Sequence, residues 1–344
     1  MGSEYVDSDN RRMKGDIDLV SGSSTGVSLS SGVHKMAKEV FEELPDRYME
    51  GYKSSCWLLD GTNPRSLRCL PYFYILGNPK CGTSDLWAKI SHHPHVVSRR
   101  LNKEPHWWTR GRFGFVRLRC DTLRDGSVST LWENRQWRAL FGERYEGPPH
   151  VIAEVIRAVQ PNARLLLILR DPVSRLYSEY LYFEKKSTDP QAFHKIVLNQ
   201  IQSFQTCTSN MSVRACVYDG VIGRVYVRLL LGIYVIFIRD WFRVFPRDQL
   251  MIVRLEDWHV NCTDALYSIY DFLRLDRLTE QNMANICATP QTKENKEKLE
   301  AAGHMLIETE EILTDFYLKW NRELSELLND NQYLWTHGGR ASIG

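Results

Sequence analysis

The chain lacks both a strong net charge and a long apolar run, and each absence excludes a class of protein. Among its 344 residues, 44 Lys and Arg are balanced by 42 Asp and Glu, for a net charge of +2. This balance excludes a strongly basic DNA-coating protein, and we expect no nucleic acid partner. The most apolar stretch, residues 225–238, includes Arg228 and is shorter than the ~20 residues of a membrane span. We expect a buried helix there, and no membrane contact by the chain as written.

Cysteine is also scarce, with eight residues and no CxxC pair. This argues against a disulfide scaffold and a zinc ribbon, and we expect no metal site. The cysteines can be buried or free thiols, or Cys207 and Cys216 can close a short loop as a disulfide. Two Asn-x-Ser/Thr sequons, at Asn210 and Asn261, are compatible with glycosylation in a secretory lumen.

The amino-terminal region has few apolar residues. Residues 1–34 are rich in Gly, Ser and Asp, a composition typical of a disordered leader, and no signal peptide or membrane anchor is visible. We predict a disordered leader or stem remnant over residues 1–50, one folded domain over 51–335 and a tail over 336–344.

The most informative local pattern is a strand, a glycine turn and a helix around residue 80. Residues 72–76 form an apolar and aromatic run that ends at Gly77, which predicts a buried strand. Thr83 or Ser84 can cap a helix that ends before Pro94.

A second unit of the same kind follows. Residues 164–169 are apolar nearly throughout, as in a central parallel strand, and Asp171 with Pro172 predicts a helix start. With further helices over 150–160, 192–204, 225–245, 264–273 and 306–328 and a strand over 249–255, the pattern indicates a three-layer α/β fold with a central parallel sheet and a helix-rich second half.

The turn after the first strand has the chemistry of a phosphate cradle, through Pro79, Lys80, Cys81, Gly82, Thr83 and Ser84. Backbone N–H groups converge in such a turn, lysine adds a charge, and the two hydroxyls add donors. The spacing of Gly77 and Gly82 matches the P-loop, but Thr83 stands where the P-loop has its lysine, which argues against an ordinary ATP site. The alternative is a tight turn without a ligand.

The end of the second strand offers another anion site. Arg170 lies at its carboxyl end, where open α/β sheets bind ligands, and Ser178 follows about two helical turns later. A second phosphate could bridge these two residues, because a guanidinium matches phosphate oxygens in a bidentate way. The alternative is an arginine on a solvated helix face.

Together the two segments resemble the sulfotransferase family, which uses 3′-phosphoadenosine 5′-phosphosulfate (PAPS). Residues 79–84 are similar to the family segment that holds the 5′-phosphosulfate, and residues 170–180 to the one that holds the 3′-phosphate. The resemblance runs from about residue 50 to 335. It extends to the Golgi carbohydrate sulfotransferases, in particular the N-acetylgalactosamine 4-sulfate 6-O-sulfotransferases of chondroitin sulfate, through residues 68–74, 103–110, 161–165, 214–218 and 254–257.

The resemblance implies a P-loop-like sulfotransferase fold and sulfuryl transfer from PAPS, without a metal, to a sugar hydroxyl of chondroitin or dermatan sulfate. It implies that Lys80 stabilises the leaving phosphate and that Glu104 is the catalytic base, while His106 orients the sugar or assists proton transfer. Without it, Glu104 would be a surface partner of Lys103, and His106 an ordinary loop histidine. It also implies residence in the Golgi lumen, although the family's membrane anchor is absent from this chain.

Residues 99–119 carry seven Lys and Arg against one acid, with aromatic residues among them. We expect this basic strip to attract a sulfated glycosaminoglycan, with contacts from Lys103, His106, Trp107, Arg110 and Arg112; the alternative is a solvated loop.

The chain departs from the family pattern between residues 125 and 129, where it is shorter. We expect part of the acceptor cleft to be missing there. Two other functions stay open: a P-loop-type nucleotide or small-molecule kinase, and a catalytically silent glycan-binding relative.

Overall fold

A computed structural model describes residues 30–59, 66–96, 103–113, 124–134, 136–142, 146–184, 188–219, 227–290, 300 and 302–335. The strands in these ranges are β1 (Cys56–Leu59), β2 (Ser66–Cys69), β3 (Phe73–Gly77), β4 (Arg124–Asp125), β5 (Arg164–Leu169) and β6 (Leu250–Arg254). The α-helices are α1 (Ser31–Met36), α2 (Lys38–Glu43), α3 (Thr83–Ile90), α4 (Trp137–Phe141), α5 (Ile152–Val159), α6 (Pro172–Phe183), α7 (Pro190–Thr208), α8 (Val213–Asp219), α9 (Tyr234–Val244), α10 (Leu255–Val260), α11 (Cys262–Phe272), α12 (Glu280–Cys287) and α13 (Ile307–Leu328).

The central sheet is parallel, in the order β4-β3-β5-β6. Phe73 pairs with Arg164 at the start of β3, and Gly77 with Ile168 at its end. Because all four strands run the same way, the residues that follow β3, β5 and β6 meet at one edge of the sheet. Short 3-10 helices connect the larger elements, at Gly111–Phe113, Val128–Leu131, Leu229–Gly232, Arg247–Gln249 and Asn331–Leu334.

Helices cover both faces of the sheet, which confirms the predicted three-layer α/β fold. β5 is apolar on both sides, so Leu165 and Leu167 enter one core and Leu166 and Ile168 enter the other. Residues of α5, α6, α9 and α13 complete the first core, and residues of α3, α10, α11 and α12 complete the second. The two cores fix the sheet and hold its carboxyl edge in place.

Two short helices lie where the sequence predicts a disordered leader. Val33, Met36 and Val40, on α1 and α2, are buried in the larger core. Their i, i+3, i+7 spacing is that of a helix, and the burial of these side chains offsets the entropy cost of ordering so short a segment. For residues 30–50 the prediction of disorder is therefore wrong.

The helix predicted over 225–245 begins later. Residues 220–226 lie outside the described ranges, and α9 begins at Tyr234. The backbone just before it is held by tertiary contacts instead: the Arg228 N–H donates to Glu179 Oε2 at 3.0 Å, and the Leu229 N–H donates to Gln200 Oε1 at 3.0 Å. In the described part of the chain, no helix has the length and apolar character for crossing a membrane.

The disulfide predicted between Cys207 and Cys216 is confirmed, and it links the end of α7 to α8. Two further disulfides, Cys56–Cys69 and Cys262–Cys287, correct the expectation of buried or free thiols. Cys56 and Cys69 are register partners across the β1–β2 hairpin, and Cys262–Cys287 joins α11 to α12. Spacing alone gives neither pairing, because each depends on tertiary structure.

Candidate functional site

The loop from Gly77 to Ser84 leaves the end of β3 and enters α3, as predicted. Its two glycines are packed closely against neighbouring side chains. A Cβ on Gly77 would lie 2.7 Å from Thr83 Cγ2, and one on Gly82 would overlap Leu255 Cδ1 unless that side chain moved. Gly82 also has a φ of +82°, which a glycine adopts without strain.

The amino-terminal end of α3 faces this loop. Gly82 is the N-cap and provides no side-chain cap, and the first N–H to bond back is that of Leu86, to the Gly82 carbonyl at 3.1 Å. The N–H groups before it have no partner within the helix and can therefore bind an anion. The prediction that Thr83 or Ser84 caps α3 is wrong, because Thr83 is the first helical residue.

Lys80 links the loop to the second unit of the fold. Its φ is +68°, a strained value for a residue with a side chain, and its Nζ lies 3.9 Å from the ring centroid of Tyr182 on α6. The Lys80 carbonyl accepts from Arg170 Nη1 at 3.4 Å. The two segments predicted to bind anions therefore lie side by side.

The turn after β5 begins α6 as predicted. Asp171 is the N-cap and accepts from the N–H groups of Val173 and Ser174 at 3.3 and 3.0 Å, while Pro172 takes the first helical position. Glu256 on α10 holds the turn from the other side, because its Oε1 accepts from the Asp171 N–H at 2.8 Å. Arg170 precedes this turn, and Ser178 is half-buried in the second turn of α6.

A tyrosine from α9 joins the two turns, and no pattern in the sequence signals it. The Tyr234 hydroxyl donates to the Arg170 carbonyl at 2.8 Å and lies 3.8 Å from Cys81 Sγ. Just before α9, the Leu231 carbonyl accepts from Asn78 Nδ2 at 3.0 Å. Burial raises the pKa of Cys81 to about 11, so this thiol is a neutral packing group.

Behind the second turn lies a buried ion cluster. Arg175 and Glu179 are fully buried, with 3.0 Å between Arg175 Nη1 and Glu179 Oε2. Arg228 Nε donates to Glu179 Oε1 at 2.8 Å, and the Arg228 carbonyl accepts from Arg175 Nη2 at 2.8 Å. Because Arg175 is buried in this cluster, its role is structural. Arg170 is therefore the arginine of residues 170–180 that lies at the sheet edge.

A second polar segment, residues 103–112, meets the loop directly. Lys103 Nζ donates to Thr83 Oγ1 at 2.9 Å and approaches Ser84 Oγ at 3.4 Å. The same ammonium donates to Glu104 Oε1 at 2.9 Å. Lys103 thus places the Glu104 carboxylate beside the amino-terminal end of α3.

His106 lies on the other side of Glu104, with 3.5 Å between His106 Nε2 and Glu104 Oε2. Its Nδ1 is 2.7 Å from Ser129 Oγ, and its N–H donates to Ser127 Oγ at 2.8 Å. Burial and the neighbouring Arg110 guanidinium lower the pKa of His106, which favours the neutral imidazole at pH 7.

Asp125 lies behind this group, at the end of β4. It is 3% exposed, and its Oδ1 accepts from the Ser127 N–H at 2.7 Å. Burial raises the pKa of Asp125 to about 6, against the lowering effect of Ser127. No sequence pattern singled out this carboxyl, because its burial depends on the packing of β4 against β3.

The Sulfotransferase domain family model matches residues 71–316. The chain belongs to the sulfotransferase family. Carbohydrate sulfotransferase 15 of Homo sapiens is 37% identical over 311 residues, which cover 78% of this chain and 55% of that protein. Heparan sulfate glucosamine 3-O-sulfotransferase 3B1 of Homo sapiens is 28% identical over 213 residues, covering 61% of this chain and 47% of that protein.

The predicted resemblance to carbohydrate sulfotransferases is thus confirmed, and the family match decides against the kinase alternative. The chain spans about half the length of the curated relatives it matches. Among solved structures, a sulfotransferase from Alicyclobacillus acidocaldarius aligns with a TM-score of 0.47 and 19% identity, over 78% of this chain and 99% of that one.

The basic strip differs from the prediction where it is described. The prediction that Arg112 contacts the acceptor is wrong. Its side chain is 1% exposed and donates to Glu39 Oε1 at 2.6 Å and to the Met36 carbonyl at 2.7 Å. It ties α1 and α2 to the domain and has no surface for an acceptor. Four further arginines of the strip, Arg99, Arg100, Arg117 and Arg119, lie outside the described residues.

Two other predicted acceptor contacts keep some exposure. The Arg110 side chain is 33% exposed, and its Nε donates to Glu133 Oε2 at 2.8 Å. Trp107 is half-buried and packs edge-on against the buried Trp108, with 4.7 Å between ring centroids. Among the residues described, no three His, Cys, Asp or Glu side chains are grouped as metal ligands.

Both sequon asparagines are exposed. Asn210 follows α7, and its Nδ2 donates to the Thr206 carbonyl at 3.0 Å. Asn261 is the N-cap of α11, where its Oδ1 accepts from the Asp264 N–H at 3.3 Å. Their glycosylation stays a prediction.

Proposed function

We propose that this chain transfers a sulfuryl group from PAPS to a hydroxyl of a glycosaminoglycan. The observation that carries the proposal is the position of Lys103, whose ammonium contacts both the Thr83 hydroxyl of the loop and the Glu104 carboxylate at 2.9 Å. An anion-binding loop and a candidate base are thereby adjacent, as a transfer between two bound molecules requires.

The donor end, which we define as residues 77–84 and 170–178, fits a ligand with two separated phosphates. In the proposal, the N–H groups at the start of α3, with Pro79, Cys81, Gly82, Thr83 and Ser84, bind the 5′-phosphosulfate. Arg170 and Ser178 bind the 3′-phosphate. The 3.4 Å contact from Arg170 Nη1 to the Lys80 carbonyl supports the view that one ligand can reach both turns. When bound, PAPS supplies an already activated sulfuryl group.

Lys80 is proposed to neutralise the charge that develops on the leaving phosphate. Its strained backbone supports this role, since non-glycine residues with positive φ are concentrated at functional sites. The contact of its ammonium with the Tyr182 ring, at 3.9 Å, gives the side chain a fixed direction before a ligand binds.

Glu104 is proposed as the base. In the reaction, the acceptor oxygen forms a bond to sulfur, the bond from sulfur to the phosphate oxygen breaks, and the acceptor proton passes to Glu104. The Glu104 side chain is 30% exposed, so a hydroxyl can reach it, while Lys103 and His106 hold it from two sides. His106 is proposed to orient the sugar or assist this proton transfer.

For the acceptor, we propose chondroitin or dermatan sulfate, with transfer to the 6-O position of N-acetylgalactosamine 4-sulfate. We define the acceptor segment as residues 103–112. Its proposed contacts with the sugar chain come from Lys103, His106, Trp107 and Arg110, in which cations and an aromatic ring suit a sulfated sugar. Residence in the Golgi lumen is part of the proposal, and the three disulfides suit that oxidising compartment.

The test is transfer of radioactive sulfate from PAPS to chondroitin, dermatan and heparan chains, followed by disaccharide analysis of the products. We expect label at the 6-O position of N-acetylgalactosamine 4-sulfate. Label on another sugar or hydroxyl would overturn the acceptor assignment only. Retention of chondroitin without any transfer would instead indicate a catalytically silent glycan-binding relative.

A further inference from the structure

His106 is held at two of its nitrogen atoms by hydroxyl groups that the proposed transfer does not use. Its backbone N–H donates to Ser127 Oγ, and its ring Nδ1 lies 2.7 Å from Ser129 Oγ. Ser129 Oγ is in turn 2.8 Å from Thr109 Oγ1, and both hydroxyls are buried. These contacts form a chain from Thr109 through Ser129 to the imidazole, and Glu104 lies beyond it.

The charge of Glu104 determines which group is the donor in each hydrogen bond between Thr109, Ser129 and His106. Glu104 Oε2 faces His106 Nε2 at 3.5 Å, and an ionised carboxylate can only accept. A bare Nε2 lone pair at that distance would repel the carboxylate, so Nε2 carries the proton. In the neutral ring Nδ1 is then an acceptor, Ser129 donates to it, and Thr109 donates to Ser129.

We propose that Ser129, with Thr109 behind it, is a positioning residue that holds His106 in the tautomer whose Nε2 proton is directed at Glu104. The tautomer follows from these contacts and from the charge of the Glu104 carboxylate, and it does not rest on the proposed function. Only its consequence for catalysis rests on the proposed function: Glu104 would be oriented by Lys103 on one oxygen and by His106 on the other, with the carboxylate left unprotonated to receive the acceptor proton.

The backbone supports a functional reason for this arrangement. His106 has a φ of +51°, a strained conformation, and Ser127 Oγ holds its N–H at 2.8 Å. Ser127 and Ser129 both come from the segment that follows β4. This segment therefore supplies two hydroxyls that contact His106.

The first test is the tautomer, read from two-bond nitrogen–proton correlation spectra of the full chain with ¹⁵N-labelled histidine. His106→Gln assigns the His106 signals by their disappearance. We expect the wild-type protein at pH 7 to show a protonated Nε2 and a hydrogen-bonded, unprotonated Nδ1. A protonated Nδ1, or an imidazolium ring, would overturn the proposal whether or not the protein transfers sulfate.

The second test removes the donor to Nδ1. Ser129 stabilises the neutral ring, so in Ser129→Ala the pKa of His106 should rise by about 0.5–1. The charged neighbours Arg110, Glu104, Glu133 and Lys103 are the same in both proteins. Thr130→Val is the matched control, because the Thr130 hydroxyl is buried without a hydrogen-bond partner one residue away. An unchanged titration in Ser129→Ala, or an equal rise in Thr130→Val, would contradict the assignment.

In the transfer assay, Ser129→Ala should lower kcat about tenfold and leave the affinity for 3′-phosphoadenosine 5′-phosphate unchanged, while Ser129→Thr restores most of the rate. Loss of donor affinity in parallel with kcat would indicate a merely structural role. Should Ser129→Ala fail to fold, Thr109→Val compared with Thr109→Ser provides the same readouts. If neither the wild-type protein nor any variant transfers sulfate, the spectra still identify the tautomer, and only the proposed function fails.

Discussion

The donor end and the acceptor segment lie side by side but are built in different ways. The donor end follows two strands of one parallel sheet, and its main groups are local: a glycine loop, a helix amino terminus and an Asp-Pro helix start. The acceptor segment lacks a strand or α-helix in its described part and is held by side chains of distant residues, such as Ser127, Ser129 and Glu133. Regular backbone geometry therefore defines the donor end, whereas tertiary hydrogen bonds define the acceptor segment.

The largest expected effect belongs to the donor end. Lys80→Ala should abolish measurable transfer, with a loss of about 10³-fold or more in kcat, because the charge on the leaving phosphate then lacks its cation. Lys319→Ala is the matched control, since Lys319 is exposed on α13 and its ammonium also lies over an aromatic ring, at 4.7 Å from the Trp320 centroid. Turnover in Lys80→Ala equal to that of the control would remove Lys80 from the mechanism.

A substitution in the acceptor segment should lower the transfer rate and leave donor binding nearly unchanged. Glu104→Gln should lower kcat by about 10²–10³-fold and leave binding of 3′-phosphoadenosine 5′-phosphate nearly intact, because the amide cannot take the acceptor proton. Glu323→Gln serves as the control, since Glu323 forms a surface ion pair with Arg239 at 2.7 Å. A parallel loss of nucleotide affinity in Glu104→Gln, measured by calorimetry, would place Glu104 at the donor end instead.

Tyr234→Phe should weaken binding of 3′-phosphoadenosine 5′-phosphate about 5–10-fold, because the hydroxyl that joins the Arg170 carbonyl to Cys81 is lost. Tyr218→Phe removes a similarly buried hydroxyl, which donates to Asp240 at 2.9 Å away from the sheet edge. Both variants can lose stability, so the comparison is of calorimetric affinity at a temperature where each is folded. Equal affinities would mean that the two turns are held independently of Tyr234.

The smallest expected effect is on the free energy of unfolding. It comes from Asp125, behind the acceptor segment, and it depends on pH. Because burial raises the pKa of Asp125 to about 6, the folded state binds a proton there more tightly than the unfolded chain does. Stability is then lost as the pH rises from about 4 to about 6. Asp125→Asn should gain about 1–2 kcal/mol relative to the wild type between pH 4.5 and pH 7, measured by urea unfolding. A difference between the two proteins that does not change with pH would contradict the assignment.

Most of the donor end could be predicted from the sequence, for a physical reason. An apolar strand followed by glycine, and Asp followed by Pro at a helix start, are local signals that tertiary structure rarely overrides. The prediction that Thr83 or Ser84 caps α3 is nevertheless wrong, because their hydroxyls face Lys103 rather than their own helix. Tyr234 could not be found, since its contact with Arg170 joins residues 64 positions apart.

The acceptor segment was predicted less well, because its side chains are sorted by packing. Arg110 and Arg112 are two residues apart in a basic strip, yet one side chain is 33% exposed and the other 1%. The difference arises from α1 and α2, which cover Arg112 and which the sequence had suggested to be part of a disordered leader. A charge pattern alone gives no indication of which cation a neighbouring helix will bury.

The central claim is that the turns after β3 and β5 bind the two phosphates of one ligand. Calorimetric titration of the wild-type protein with 3′-phosphoadenosine 5′-phosphate, adenosine 5′-phosphate and adenosine 3′-phosphate tests it most directly. We predict that the ligand with both phosphates binds at least about 100-fold more tightly than either ligand with one, and that Arg170→Ala removes the advantage over adenosine 5′-phosphate. Equal affinities for all three ligands would contradict the claim.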